Sequence, residues 1–142
     1  MIREYKTEDT DALVALWKAA TSIAHPFLKT AFVAQETENL RNIYLPNAET
    51  WVFEDNGIPI GFIALIGDEI GGLFLDPSRH GQGFGRAMVD HAIALKGPMW
   101  LEVFEKNAIG RRFYDRYGFV EINRSMHEAS GEIALKVAFT PR

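Results

Sequence analysis

A chain of 142 residues, 47% apolar and 24% charged, has the length and composition of one soluble globular domain. It contains no cysteine, which excludes disulfides, cysteine–zinc sites and a thiol nucleophile; no other metal-ligand spacing is read. A net charge of −4 argues against a general nucleic-acid binder, and no apolar run is long enough to span a bilayer. The N-terminal stretch Met1 to Asp9 has no signal-peptide character, so a cytoplasmic location is expected.

Ile2 to Tyr5 reads as a short strand. Thr7 is placed to cap a helix, with Glu8 and Asp9 in a first turn where the dipole favours acids. Leu13, Leu16, Trp17 and Ala20 recur at helical spacing until His25-Pro26-Phe27-Leu28 breaks the pattern. A second helix is expected from Thr30 to Tyr44, with Phe32, Val33, Leu40 and Ile43 as its apolar positions, ended by Leu45-Pro46-Asn47. Strands follow at Glu49–Asp55, Pro59–Ile66 and Glu69–Leu75, joined by the turns Asn56-Gly57 and Gly67-Asp68. Gly71-Gly72 predict a bulge or a close backbone approach in the third of these. A helix over Gly83–Leu95 carries Met88, Val89, Ala92 and Ile93 on one side. Met99–Phe104 is the next strand. Asn107 opens a helix that closes at Tyr117-Gly118, and Phe119–His127 with Glu132–Phe139 make a closing hairpin around Ser130-Gly131. The order βααβββαβαββ predicts an α/β chain with a mixed, mostly antiparallel sheet and helices on both faces.

The stretch with most chemical content is Leu73 to Met88. An apolar strand stops at Asp76-Pro77, glycines stand at 81, 83 and 85, and a helix begins. Glycines allow close backbone approach, and the first N–H groups of a helix have no internal partner and lie at the positive end of its dipole. Such a loop suits a phosphate or pyrophosphate. The dinucleotide fingerprint fails here, because Arg86, Ala87 and Met88 follow Gly85 with no third glycine in place. A P-loop fails for want of a Gly-Lys-Ser/Thr.

His80-Gly81-Gln82-Gly83-Phe84-Gly85 resembles the acetyl-CoA loop of the GNAT superfamily of N-acetyltransferases, Arg/Gln-x-x-Gly-x-Gly/Ala, with His80 in the first position. Downstream, Asn107-x-x-Gly110-x-x-Phe113-Tyr114-x-x-x-Gly118-Phe119 is similar to a second family segment, with Gly110 in place of the usual alanine. That glycine is expected to cost the helix about 1 kcal/mol without touching chemistry. The element order agrees as well, so the resemblance covers nearly the whole chain.

The resemblance implies acetyl-CoA as cosubstrate. Its pyrophosphate would lie on the N–H groups of Gly81, Gln82, Gly83, Phe84, Gly85 and Arg86, with His80 alongside. Its pantetheine arm would pair with the backbone of Leu73, Phe74 and Leu75, where the fourth and fifth strands splay, with Asn107 near that arm. Tyr114 would hydrogen-bond the departing sulfur, with Tyr117 as an alternate. A phenol near pKa 10 is a weaker acid than a thiol near 8.5, so full proton transfer is uphill by roughly 2 kcal/mol and hydrogen-bond donation is the expected role. The acceptor amine must be neutral to attack; Glu69, Glu102 and His25 are the candidate bases, Glu102 favoured by its place at the splay and His25 by its ordinary pKa, with deprotonation through water and no dedicated base as the alternative. His25, Phe27, Phe32, Tyr44 and Trp51 either line an apolar mouth, with Glu36 and Glu38 nearby, or, for the aromatics, fill the core beneath the helix pair; His91 and His127 show no partner pattern.

The implied activity is direct acetyl transfer to a primary amine of a protein or a small molecule. A non-catalytic acyl-CoA-binding module is the alternative, and a nucleotide binder of another fold is a third. The acceptor's identity and a homodimeric state are left open by the sequence.

Overall fold

The strand Ile58–Ile66 (β3) is buried at every position from Ile60 to Leu65, so its alternating side chains need cover on both faces. Phe62 turns toward the helix Thr10–Ala24 (α1), whose Leu13, Leu16 and Trp17 close over it and over Val52. Ile63 and Leu65 turn the other way, into a core completed by Met88, Val89 and Ala92 of Phe84–Lys96 (α4) and Tyr114 of Ala108–Tyr117 (α5). The computed structural model describes residues 1–142.

The remaining elements are Ile2–Glu4 (β1), Thr30–Asn39 (α2), Leu45–Asn47 (α3), Glu49–Asp55 (β2), Glu69–Leu75 (β4), Met99–Phe104 (β5), Val120–His127 (β6) and Glu132–Phe139 (β7). The seven strands form one sheet in the order β1-β2-β3-β4-β5-β7-β6. Every neighbouring pair is antiparallel except β4 and β5, which run parallel and are joined by the single pair Glu69↔Trp100. Beyond that pair the two strands separate. No helix is long and apolar enough to cross a membrane.

The expected bulge is present. Ala64 pairs with Gly72 and Leu65 with Ile70, which leaves Gly71 as the extra residue of β4.

Two local readings are corrected. Residues Thr7–Asp9 form a 3₁₀ turn ahead of α1, and Thr7 caps nothing with its side chain. Asp9 instead accepts the Lys6 N–H (2.8 Å) and both ends of the Arg3 guanidinium (2.8 and 2.9 Å), while Arg3 also donates to Glu54 (2.8 Å). This knot ties β1, the entry to α1 and β2 together.

The second correction concerns the helix expected to stop before Pro46. α2 passes into a π-helical turn, Leu40–Tyr44, and the chain stays helical through α3 with Pro46 in its first turn. Proline lacks an N–H and crowds the carbonyl of the preceding turn, so it is tolerated where a new helical start follows a widened turn. The five-residue period buries both Leu40 and Leu45 and turns Ile43 out to 51% exposure, although a plain helical reading places Ile43 inward.

Candidate functional site

The gap between β4 and β5 opens toward the C-terminal ends of both strands. The glycine loop continues from β4 on one side, and Asn107 follows β5 on the other. Asp76 donates its N–H to Ile60 O (2.8 Å), so alternation directs the main chain of Phe74 toward β3 and that of Leu73 and Leu75 toward the gap. Of the three residues expected to offer main-chain pairing, Leu73 and Leu75 turn their main chain to the gap and Phe74 does not; its partly buried side chain packs edge-on to Trp17 at 6.2 Å.

In the loop, Asp76 caps the 3₁₀ turn Pro77–Arg79 by accepting from Ser78 N–H (3.0 Å). Gly81 (φ 79°) and Gly83 (φ 86°) then take left-handed conformations that side chains resist, and Gly83 is the N-cap of α4. The backbone N–H groups of residues 81 through 86 donate to no protein acceptor; the first paired donor is Ala87 N–H, on Gly83 O at 3.0 Å. The loop thus presents six free donors at a helix N-terminus. A Cβ at Gly81 or Gly83 meets nothing within 4 Å, so the room a phosphate needs is there. Gly85 has a different reason: a Cβ there would come 3.2 Å from the Phe113 ring, so it permits α4 and α5 to touch. His80 and Gln82 are exposed. The Arg86 side chain lies over the Tyr117 ring (5.1 Å), and Tyr117 donates its hydroxyl to Asp90 (2.6 Å). Tyr117 is therefore a tie between α4 and α5.

Tyr114 is 9% exposed and packs edge-on against Phe113 and Phe119. Burial pushes its phenol far above the ordinary value, with no hydrogen bond contributing. It lines a cavity of about 400 Å³ together with Val103, Phe119, Leu135 and Val137, rimmed by Arg111, Arg112 and Glu121.

Asn107 caps α5. Its Oδ1 accepts from Gly110 N–H (2.9 Å), and its Nδ2 faces His25 Nε2 at 3.2 Å. Its backbone is not helical (φ −81°, ψ 81°), and its amide is committed to the cap and to His25 rather than to a face shared with Tyr114. Because Oδ1 is held by the cap, Nδ2 is the donor to His25, which assigns the imidazole proton to Nδ1. Burial lowers the His25 pKa to about 4. The suitability read from its ordinary pKa is therefore lost: at neutral pH the ring is uncharged, and its free nitrogen already accepts a hydrogen bond.

The substitution of Gly110 for alanine also acquires a role that helix propensity does not reveal. A Cβ there would lie 2.5 Å from Asn107 Nδ2, so alanine would turn the amide away from His25. Gly110→Ala is expected to leave thermal stability nearly unchanged, about 1 kcal/mol of helix propensity offsetting the weakened cap. The His25 ring ¹⁵N shifts should nonetheless move. Superimposable His25 signals in the two proteins would refute the contact's dependence on Gly110.

His25 gathers rings around it. Phe27 and Phe104 lie edge-on to it at 5.7 and 5.2 Å, and His127 lies 5.4 Å from Phe104 and 6.0 Å from Phe32. His127, which showed no partner in the sequence, belongs to this cluster and also contacts Ser130 Oγ (2.8 Å). Trp51 does not. Strand alternation sets it opposite Ile63 on the α4 face, 4.5 Å from the His91 ring. Tyr44 is exposed and donates to Glu36 (3.2 Å).

Beside the cluster, Glu69 and Glu102 come together where β4 and β5 are last paired. Glu102 is exposed, two residues beyond Trp100 and on the same strand face. Glu69 is half-buried; burial, then the charges of Glu102 and Asp68, raise its pKa above the usual carboxylate value.

A family profile described as "Acetyltransferase (GNAT) domain" matches residues 46–121. The chain is 37% identical over 125 residues to the peptidyl-lysine N-acetyltransferase YjaB of Salmonella typhimurium, covering 87% of this chain and 86% of that protein. It is 32% identical over 120 residues to the peptidyl-lysine N-acetyltransferase YiaC of Escherichia coli, covering 84% and 82% respectively. The solution structure of apo YjaB from Escherichia coli matches the fold with a TM-score of 0.90 at 30% identity, over 100% of this chain and 98% of that one. The PaiA N-acetyltransferase of Thermoplasma acidophilum, solved in complex with coenzyme A, matches with a TM-score of 0.79 over 98% of each chain. At 17% identity that likeness speaks for the fold alone.

Proposed function

Because the chain belongs to the GNAT family of acetyltransferases, we propose that it moves an acetyl group from acetyl-CoA directly to a primary amine, and that a peptidyl lysine is the acceptor class. The observation that carries the donor is the run of free N–H groups from Gly81 to Arg86, a cradle for a pyrophosphate. The PaiA protein, which shares the fold, was solved with coenzyme A bound. The lysine acceptor is suggested by the names of YjaB and YiaC.

Acetyl-CoA supplies an acetyl thioester whose sulfur is already a fair leaving group. The chain's residues do the rest. The loop holds the anionic end, and the main chain of Leu73 and Leu75 aligns the arm along the gap. Tyr114 donates a hydrogen bond where charge develops on sulfur. Glu69 takes the acceptor's proton, directly or through a water, and Glu102 strengthens the acidic character that draws a cationic amine in.

Glu69 acts as a base only when ionised, and its pKa is raised. Activity should therefore rise with pH through a value above the ordinary carboxylate range. Glu69→Gln is expected to lower kcat/KM on the order of tenfold near neutral pH and to flatten that acidic limb, since water replaces part of the relay. An unchanged pH profile in Glu69→Gln would remove it from the proton path.

The whole reading is tested by a free-thiol assay over an amine panel: lysine peptides, N-terminal peptides, polyamines and aminoglycosides. CoA release that requires an amine, and is fastest with lysine peptides, is the expected result. Tight acetyl-CoA binding with no release against any amine would overturn it.

A further inference from the structure

Lys136 is a half-buried lysine beside the gap whose ammonium is held by no direct ion pair. It sits on β7 between Glu102 of β5 and Asn123 of β6. Lys96 and Lys106 hold carboxylates at 2.7 and 2.9 Å, but Lys136 has none within ion-pair distance. Its Nζ lies instead 4.2 Å from the centre of the Trp100 ring. That indole is fixed by its own hydrogen bond to Asp68 (3.2 Å), and a second bond runs from Trp100 N–H to Asp68 O (3.1 Å). Trp100 is also the residue paired with Glu69 at the point where β4 and β5 part. A lysine amine of this chain thus stands half-buried on an aromatic face, at the closed end of the gap, within the field of Glu69 and Glu102.

The same features would receive the ammonium of an external lysine if transfer takes place at this gap. A flat indole attracts an ammonium through its quadrupole, and two carboxylates add to that attraction. We propose that Lys136 occupies the acceptor position in cis and is itself a site of acetylation by the same chain. The inference rests on the reading that transfer takes place at this gap.

In the step, the neutral Nζ attacks the thioester carbonyl carbon of acetyl-CoA. A C–N bond forms, the C–S bond breaks, and its electron pair leaves on the CoA sulfur. The amine's proton passes to Glu69 or water. Nothing is oxidised or reduced. The product is a neutral amide, so the cation over Trp100 is lost while the acidic pair remains. An external lysine then meets the same ring with its internal competitor removed.

The full chain incubated with acetyl-CoA and no added amine is expected to gain one acetyl group, which peptide mass spectrometry locates on Lys136. Its first-order rate constant should exceed that at each of the other lysines at least tenfold and be independent of protein concentration, as an intramolecular reaction requires. Lys136→Arg keeps a cation over the ring and should abolish the modification. CoA release with a lysine peptide, measured on the same preparation, separates the two levels of the argument. Release to the peptide with Lys136 unmodified overturns this proposal and leaves the proposed function standing. Acetylation of Lys136 no faster than in heat-unfolded chain, or with a fraction modified per unit time that rises in proportion to protein concentration, also overturns it. Neither release nor modification overturns both.

Discussion

Tyr114→Phe is expected to lower kcat ten- to a thousandfold while leaving acetyl-CoA affinity and the melting temperature essentially unchanged. The substitution removes one oxygen and keeps the ring against Phe113 and Phe119. No hydrogen bond contributes to the phenol's shift, so the variant strands no protein donor or acceptor, and stability should hold or rise slightly. Burial drives the phenol further from ionisation, which makes proton transfer to sulfur still less favourable than the roughly 2 kcal/mol of the free groups. What is left is donation of a hydrogen bond in a site of low polarity, where one well-placed donor contributes strongly to a developing charge. Steady-state kinetics with calorimetric acetyl-CoA binding separate the two roles. If kcat is unchanged, Tyr114 is a core aromatic and the sulfur is assisted from elsewhere.

Arg3→Ala is expected to cost about 3 kcal/mol of stability at neutral pH. Asp9 is only 6% exposed, and Arg3 is its cationic partner through two bonds. Removing the guanidinium leaves a buried carboxylate with the Lys6 N–H alone. Arg3 holds the Asp9 pKa below its ordinary value, so the pair's contribution is present above the unfolded pKa and is lost as pH falls through the lower folded one. In Arg3→Ala, Asp9 loses that cation and burial favours its protonated form. The deficit should thus be largest near neutral pH and shrink under acid conditions, where Asp9 is protonated in both proteins. Urea midpoints across that range measure it. A deficit that does not shrink toward acid pH would show that Arg3 stabilises the fold by something other than its pairing with Asp9. The knot also fixes the entry of α1, whose far end carries His25, so transfer activity should fail at a lower temperature in this variant.

Much of the fold was legible because its signals are local. Asn56-Gly57, Gly97-Pro98 and Tyr117-Gly118 mark chain reversals that need particular backbone angles, and Asn56, Gly57, Gly97 and Gly118 all have positive φ. Gly71 is the bulge it promised. The helix through Pro46 was not legible, because a π-helical turn is selected by the burial of Leu40 and Leu45 against α1 and not by its own residues. Trp51 was assigned to the wrong side for a related reason: alternation says that neighbours oppose one another, but not which face meets α4.

The loop's chemistry was written in the chain itself. Glycines at 81 and 83 before an amphipathic helix determine a turn of free N–H groups, since backbone angles and helix ends obey local rules. What those donors work beside was decided only by packing across long separations in sequence. Residue 107 meets residue 25, burial removes the basicity of His25, burial and then the charge of Glu102 raise the pKa of Glu69, and Lys136 comes to rest on Trp100. Each of these depends on distance and solvent exclusion between segments that no sequence interval relates, so the loop of free donors could be read from residue order and the surroundings of His25, Glu69 and Lys136 could not.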